Sequence, residues 1–191
     1  MSNAAQAVRR CIECGQAQSP QHRRVDYQES GLDNVELFNV PVWMCPNGHE
    51  EVVIPAVTQL HELLAEMIIR KPAALSGPEI KFLRRRIDIQ ARDFAERIGL
   101  TPVALSRFEN GARPLTRRVD LLIRLAAAAM ISARDGKPFP ADLAPLVGTL
   151  EAWDIGHHRL RHVDAAPPAS EWEADTIRVD TVQADAALSV D

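Results

Sequence analysis

Phe94-Ala95-Glu96-Arg97-Ile98-Gly99-Leu100-Thr101-Pro102-Val103-Ala104-Leu105-Ser106-Arg107-Phe108-Glu109-Asn110-Gly111 is the stretch that decides the fold. Phe94 and Ile98 recur at helical spacing, and the small Ala95 between them permits a close helix crossing, so a short helix is predicted near 90–98. Gly99 can take the left-handed conformation that ends a helix at low cost. Thr101-Pro102 starts another at once, because threonine caps a helix and proline suits its first turn. Leu105 and Phe108 give this second helix its inward face, leaving Val103, Ser106 and Arg107 outward. Asn110-Gly111 ends it, and Arg113-Pro114 fixes the exit. Two short helices about a glycine turn form a helix-turn-helix arrangement.

Outward from that pair, the flanks read as helices too. Ser76-Gly77-Pro78-Glu79 is a capping-box pattern, followed by Ile80, Leu83 and Ile87 at helical spacing, so a helix is expected to about Arg86. Of Arg84, Arg85 and Arg86, at least two are expected to face solvent or a phosphate. On the far side a helix over roughly 117–131 is expected to be amphipathic through Leu121, Leu122, Leu125, Ala126 and Ala129. Charge separates this middle from the ends. Residues 76–134 carry 12 basic and 6 acidic side chains, residues 1–75 carry 6 and 9, and residues 135–191 carry 4 and 11. A basic middle within a chain of net charge -4 suggests a polyanion-binding domain between acidic flanks.

The run from Phe94 to Thr101, followed by Leu105-Ser106-Arg107-Phe108-Glu109-Asn110-Gly111, resembles the Cro/repressor-type (XRE) helix-turn-helix family. The resemblance implies double-stranded DNA as the partner. The second helix of the pair would enter the major groove, whose edges distinguish all four base pairs. Arg107 is then the best base reader, since its fork matches guanine O6 and N7. An intramolecular pair with Glu109 or Glu96 is the competing role. Val103 can meet a thymine methyl, whereas Gln90, Thr101, Ser106 and Arg113 suit phosphates, which set register rather than sequence. Glu109 is expected to hold the end of its helix. The family's phosphate-touching glutamine corresponds to Ala91 here, one residue after Gln90.

Toward the N-terminus, Cys11-Ile12-Glu13-Cys14-Gly15 has the spacing of a metal knuckle. Cys45 and His49 supply a second pair, giving a Cys3His zinc site from Cys11, Cys14, Cys45 and His49, with His22 as the rival fourth ligand. Four protein ligands leave no position for water, so the zinc is expected to be structural. Val35, Leu37, Val40, Val42 and Met44 suggest the strands of a zinc-ribbon hairpin. So small a module depends on its metal to fold. A strand near 51–54 and a helix over about 57–69 lead toward the basic domain, and the stripe of Leu60, Leu64, Met67 and Ile68 on one face of that helix is expected to be core or a dimer contact. His61 and Glu62 on that helix are expected to face solvent.

The order of the two knuckles, a helical linker and the XRE motif resembles the MqsA-type antitoxins, the YgiT-like zinc-finger/helix-turn-helix proteins, over roughly residues 11–131. That resemblance implies a structural zinc, a homodimer held mainly by the DNA-binding domains, a palindromic operator and, in true antitoxins, a ribonuclease toxin bound through the zinc module. Two departures stand out. Gly48 with His49 replaces the usual second cysteine, and Val103 stands where a polar residue joins the arginine in base reading.

The expected architecture is therefore α+β and mainly α. A zinc-ribbon-like module (1–55) precedes a helical linker (56–75) and a Cro/repressor-like five-helix DNA-binding domain (76–134). An acidic extension (135–191) follows, either disordered or ordered on a partner. In that extension 142–150 could form a helix, His157 to His162 form a polar cluster, and hydrophobic alternation around Trp172, Ile177, Val179 and Val182 suggests an edge strand. The longest apolar run, Leu125 to Ile131, is far below the roughly 20 residues that span a bilayer. Three cysteines are an odd set that fits intracellular metal chemistry better than secreted disulfides, so a cytoplasmic location is expected. The chain shows no nucleophile–base set or phosphate-binding glycine loop, and no enzymatic activity is expected.

Overall fold

The computed structural model describes residues 9–136 and Pro138, together with the backbone of 159–161, 163–164 and 180–182. The expected helix at 142–150, the histidine cluster and the patterning around Trp172 otherwise lie outside the described residues.

The N-terminal sheet is built on one long hairpin. Strand β1 (Ser19–Asp26) pairs antiparallel with β2 (Glu36–Met44), and β3 (Glu50–Val52) pairs with the far end of β2. Val35 and Leu37 face inward, then Val40 and Val42, so the alternation slips by one residue between 37 and 40. A bulge absorbs the slip. Phe38 and Asn39 together oppose Arg24, and Asn39 takes a φ of 56°, keeping both apolar pairs on the core side. β5 (Val163–Asp164) adds a parallel pairing to β2 at Leu37 and Phe38, and β4 (Arg159–Arg161) pairs with β6 (Asp180–Val182).

Among the described residues five α-helices follow the hairpin: α1 (Val57–Arg70), α2 (Gly77–Arg86), α3 (Ala91–Arg97), α4 (Pro102–Glu109) and α5 (Arg117–Asp135). The span 76–134 thus holds four helices, not the five expected there, and α1 packs on them from before it. α2 opens with the expected capping box, Ser76 and Glu79 bonding each other's backbone amides. Thr101 caps α4 and Thr116 caps α5 through their hydroxyls. Gly99, between α3 and α4, has a φ of 69°, as the turn requires.

One core runs from sheet to helices. Tyr27, Leu32, Val35 and Leu37 near the hairpin tip pack in the same cluster as Leu60, Leu64 and Ile68 of α1, Ile80 and Leu83 of α2, Phe94 of α3 and Leu105 of α4. The segment expected as a linker helix thus lies in the centre, with Leu60, Leu64, Ala65, Ile68 and Ile69 buried. Of the two roles expected for that stripe, core and dimer contact, Leu60, Leu64 and Ile68 take the first, while Met67 is half-buried.

Three expectations about side-chain direction are corrected. The buried face of α5 is Asp120, Ile123, Arg124, Ala127, Ala128 and Ile131, whereas Leu122 and Ala129 are exposed. The reason is a buried ion pair. Arg124 bonds Asp120 and donates to the carbonyls of Ile68, Ile69, Lys71 and Ala73, satisfying the end of α1, while Asp120 accepts from the Leu75 amide. Second, Arg84 and Arg86 are not turned to solvent. Arg84 pairs with Glu109, and Arg86 pairs with Glu62 and Asp135, leaving Arg85 as the exposed member. Third, His61 and Glu62 are half-buried. The Tyr27 hydroxyl and His61 Nε2 share a 2.8 Å hydrogen bond, and Phe82 meets the imidazole edge-on. Burial, with the Arg86 charge behind it, holds the His61 pKa below its usual value.

Candidate nucleic-acid interface and metal centre

The candidate metal centre assembles from the two glycine-turned knuckles at the open end of the hairpin. In the first, the Gly15 amide bonds the Cys11 carbonyl at 2.9 Å, and Gly15 takes a φ of 71°. In the second, the Gly48 amide bonds the Cys45 carbonyl at 3.0 Å, Gly48 takes a φ of 83°, and the Cys45 amide closes on the His49 carbonyl at 3.1 Å. These turns bring Cys11, Cys14, Cys45 and His49 together, their ligand atoms all within 4.8 Å of one another. His22, the rival, sits exposed on β1 opposite Pro41, outside this group.

The donor set fits a tetrahedral ion. Zn–S bonds of about 2.3 Å and Zn–N bonds of about 2.0–2.1 Å imply ligand separations of roughly 3.8 Å between sulfurs and 3.5 Å from sulfur to nitrogen. Cys14 Sγ lies 3.7 Å from Cys45 Sγ, and Cys11 Sγ lies 3.5 Å from His49 Nδ1. All three cysteines are free thiols. The Cys14 thiol is lowered to about 6, first by the Gln16 backbone amide and also by His49, so a thiolate is accessible near neutrality. Burial pushes the neighbouring Cys11 thiol up, an opposition that a bound cation would relieve. Purified protein is expected to hold about one equivalent of zinc by elemental analysis, and less than half an equivalent would argue against the site.

At the other end of the molecule, α3 and α4 meet about Gly99. Phe94, Ala95 and Leu105 are fully buried between them, with Ile98 and Phe108 nearly so. The opposite face of α4 is open. Val103 is 61% exposed, and Ser106 and Arg107 are exposed beside it. The two carboxylates that could have drawn Arg107 inward are engaged elsewhere: Glu109 with Arg84, and Glu96 with Arg92. Around this face the remaining expected residues lie at its rim. Thr101 Oγ1 accepts from the Ala104 amide at 3.1 Å, which leaves its hydroxyl proton able to donate to an outside acceptor. Gln90 stands at the N-cap of α3, exposed and making no capping bond. Ser106 Oγ accepts from Asn110 Nδ2 at 3.3 Å, and the Arg113 guanidinium rests 5.7 Å from the Phe108 ring centre. Gln90, Thr101, Val103, Ser106, Arg107 and Arg113 are therefore all exposed on or beside α3 and α4.

Sequence reasoning gave Glu109 the task of holding the end of α4 but missed its partner and the role of Gly77. Arg84 forms a two-pronged pair with Glu109, Nε to Oε1 at 2.7 Å and Nη2 to Oε2 at 3.2 Å, and also donates to the Ile89 carbonyl at 3.0 Å. This ties the end of α4 to α2 and to the turn before α3. Gly77 completes the clamp: a Cβ there would collide with the Glu109 carbonyl oxygen and lie 2.8 Å from the Glu109 carbonyl carbon and 2.9 Å from the Phe108 carbonyl oxygen. The signal available for Gly77 was its place between a cap and a proline, where the conformation alone does not demand glycine.

A family model described as helix-turn-helix matches residues 80–128, from Ile80 in α2 to Ala128 in α5. No curated protein and no solved structure matches the chain. The matched segment contains the whole α3–α4 pair with most of α2 and the first part of α5, so this part of the chain is similar to a helix-turn-helix domain. Among the described residues no helix is long and apolar enough to cross a membrane.

Proposed function

We propose that the chain is a sequence-specific transcriptional regulator, acting in the cytoplasm as a repressor, that inserts α4 into the major groove of its operator. The observation that carries this reading is the outward face of α4, on which Arg107 stands exposed while both nearby carboxylates are held by other arginines. Arg107 reads guanine, Val103 packs on a thymine methyl, and Gln90, Thr101, Ser106 and Arg113 contact phosphates on either side. Zinc at Cys11, Cys14, Cys45 and His49 has a structural role, and no enzymatic step belongs to the reading.

A homodimer on a palindrome belongs to the same reading: two copies would set their recognition helices about 34 Å apart on one face of the duplex. The second apolar stripe of α5 supports self-association: Leu122 is 40% exposed and Ala129 is exposed, beside half-buried Leu121, Leu125 and Ala126. An antitoxin role is the second reading. It is favoured by Ile12, 88% exposed at the tip of the first knuckle, an apolar side chain suited to a partner protein such as a toxin.

The test is a fluorescence titration of zinc-loaded protein against a duplex recovered by selection from a randomised pool. Each phosphate neutralised contributes about -0.9 to the slope of log K against log salt. A slope of several units is expected, and failure to recover any bound duplex would sink the reading.

A further inference from the structure

The metal centre and the recognition helix are far apart, yet a continuous set of contacts joins them. The metal ligands flank the open end of the β1–β2 hairpin, and the tip between the strands is docked in the helical core. β2 is nine residues long, so the two ends are separated by roughly 30 Å at about 3.3 Å per residue. At the docked tip, Asn34 Nδ2 donates to Glu79 Oε1 at 3.2 Å. Glu79 is fully buried, and its two oxygens also accept from Lys71 Nζ at 2.8 and 2.5 Å and from the Ser76 amide at 2.7 Å. That carboxylate therefore fixes the first turn of α2. The same turn carries Gly77, whose Cα face abuts the backbone of Phe108 and Glu109 at the end of α4.

We infer that Asn34 and Glu79 are positioning residues which couple metal loading of the Cys3His site to the placement of α4, so that metal-free protein binds DNA more weakly. The inference rests on the DNA-binding reading above and assigns it a mode of regulation. The bistable element is the hairpin. Without metal its open end has little apolar surface to hold it, and the strands lose their anchor. Tyr27, Leu32 and Val35 then dock less firmly, and Glu79 loses the Asn34 amide while keeping Lys71 and Ser76. The first turn of α2 loosens without melting, and the end of α4 gains freedom where Phe108 and Glu109 lean on Gly77. The effect is graded, because the Arg84–Glu109 pair persists. By linkage, DNA must tighten zinc binding by the same factor that zinc tightens DNA binding.

The experiment uses the full chain, zinc alone as the metal, and the selected duplex as the probe, with affinity measured before and after chelation. Couplings between sites commonly span about 5- to 150-fold, and a loss of affinity in that range is expected on metal removal. A competing chromophoric chelator should then report zinc held more tightly, by the same factor, when duplex is saturating. Asn34→Ala should retain a full equivalent of zinc and its helical circular dichroism. It should bind duplex more weakly than wild type when loaded and lose much less on chelation. Equal DNA affinity with and without zinc, or an Asn34→Ala chelation penalty as large as that of wild type, would overturn the coupling. So would wholesale loss of helix on chelation, which would replace coupling by simple unfolding. If zinc-loaded wild type bound no duplex at all, the DNA-binding reading itself would fail, a result distinct from each of these.

Discussion

Replacing Arg124 by leucine is expected to destabilise the protein by about 3–5 kcal/mol, the range for removing one partner of a buried pair. The guanidinium is buried and serves two purposes. It neutralises Asp120 on its own helix, with Nε to Oδ2 at 2.7 Å, and it donates to four carbonyls at and just beyond the end of α1. Leucine fills much of the volume but leaves the Asp120 charge and those acceptors in a dry environment. Lysine is not a conservative replacement, because a single ammonium cannot reproduce the planar fork that spans α1 and α5. Urea unfolding of the two variants beside wild type measures the loss. A fall below about 1 kcal/mol, the scale of an exposed ion pair, would contradict this role.

Gly77→Ala is the second large effect, and its sign opposes the usual rule. Exchanging glycine for alanine in a helix normally stabilises by about 0.4–1 kcal/mol, since the unfolded chain loses freedom. Here the added methyl meets backbone, not a flexible side chain: it runs first into the Glu109 carbonyl oxygen, with the Glu109 carbonyl carbon at 2.8 Å and the Phe108 carbonyl oxygen at 2.9 Å. Helix α2 or the end of α4 must shift, at the cost of about 1–3 kcal/mol typical of overpacking. Because the displaced atoms belong to Phe108 and Glu109, the shift reaches the helix that carries Arg107. Specific DNA affinity should fall more than stability alone explains. Thermal unfolding and duplex titration of the same preparation check both halves, and a stabilised variant with unchanged affinity would refute the clamp.

The features legible in the sequence are those written locally. Caps at Ser76 and Thr101, the glycine at 99 and the period of Phe94, Ile98, Leu105 and Phe108 depend on neighbours within a turn or two, and they placed α2, α3 and α4 within a residue or so. The gathering of Cys11, Cys14, Cys45 and His49 was legible through spacing, including the shift to His49. What could not be read is the set of charges that choose partners across the fold. Asp120 and Arg124 look like surface residues on a helix, so the apolar stripe of α5 was assigned to the neighbouring face. Arg84 and Arg86 look like a phosphate-binding run until Glu109, Glu62 and Asp135 arrive from elsewhere in the chain. His61 is polar in sequence and half-buried in structure because Tyr27 reaches it from the hairpin. The central position of α1 was missed for a related reason: a stripe of Leu60, Leu64 and Ile68 states that something is buried, not against what.

These corrections strengthen the view of α4 as a presented element. Arginines that might have competed for DNA are consumed in holding the scaffold, and the acids that might have quenched Arg107 are consumed with them. The outward face of α4 is left with one long cation, one methyl-bearing side chain and hydroxyls at its edges.

The most direct measurement of that claim compares Arg107→Ala with wild type on the selected duplex and on a scrambled duplex of equal length, at one salt concentration. A bidentate contact to guanine is worth about 1–3 kcal/mol of discrimination, so the selected duplex should lose roughly 5- to 150-fold in affinity while the scrambled one changes little. Equal losses on both would reduce Arg107 to a phosphate contact, and an unchanged affinity on both would take α4 out of the groove.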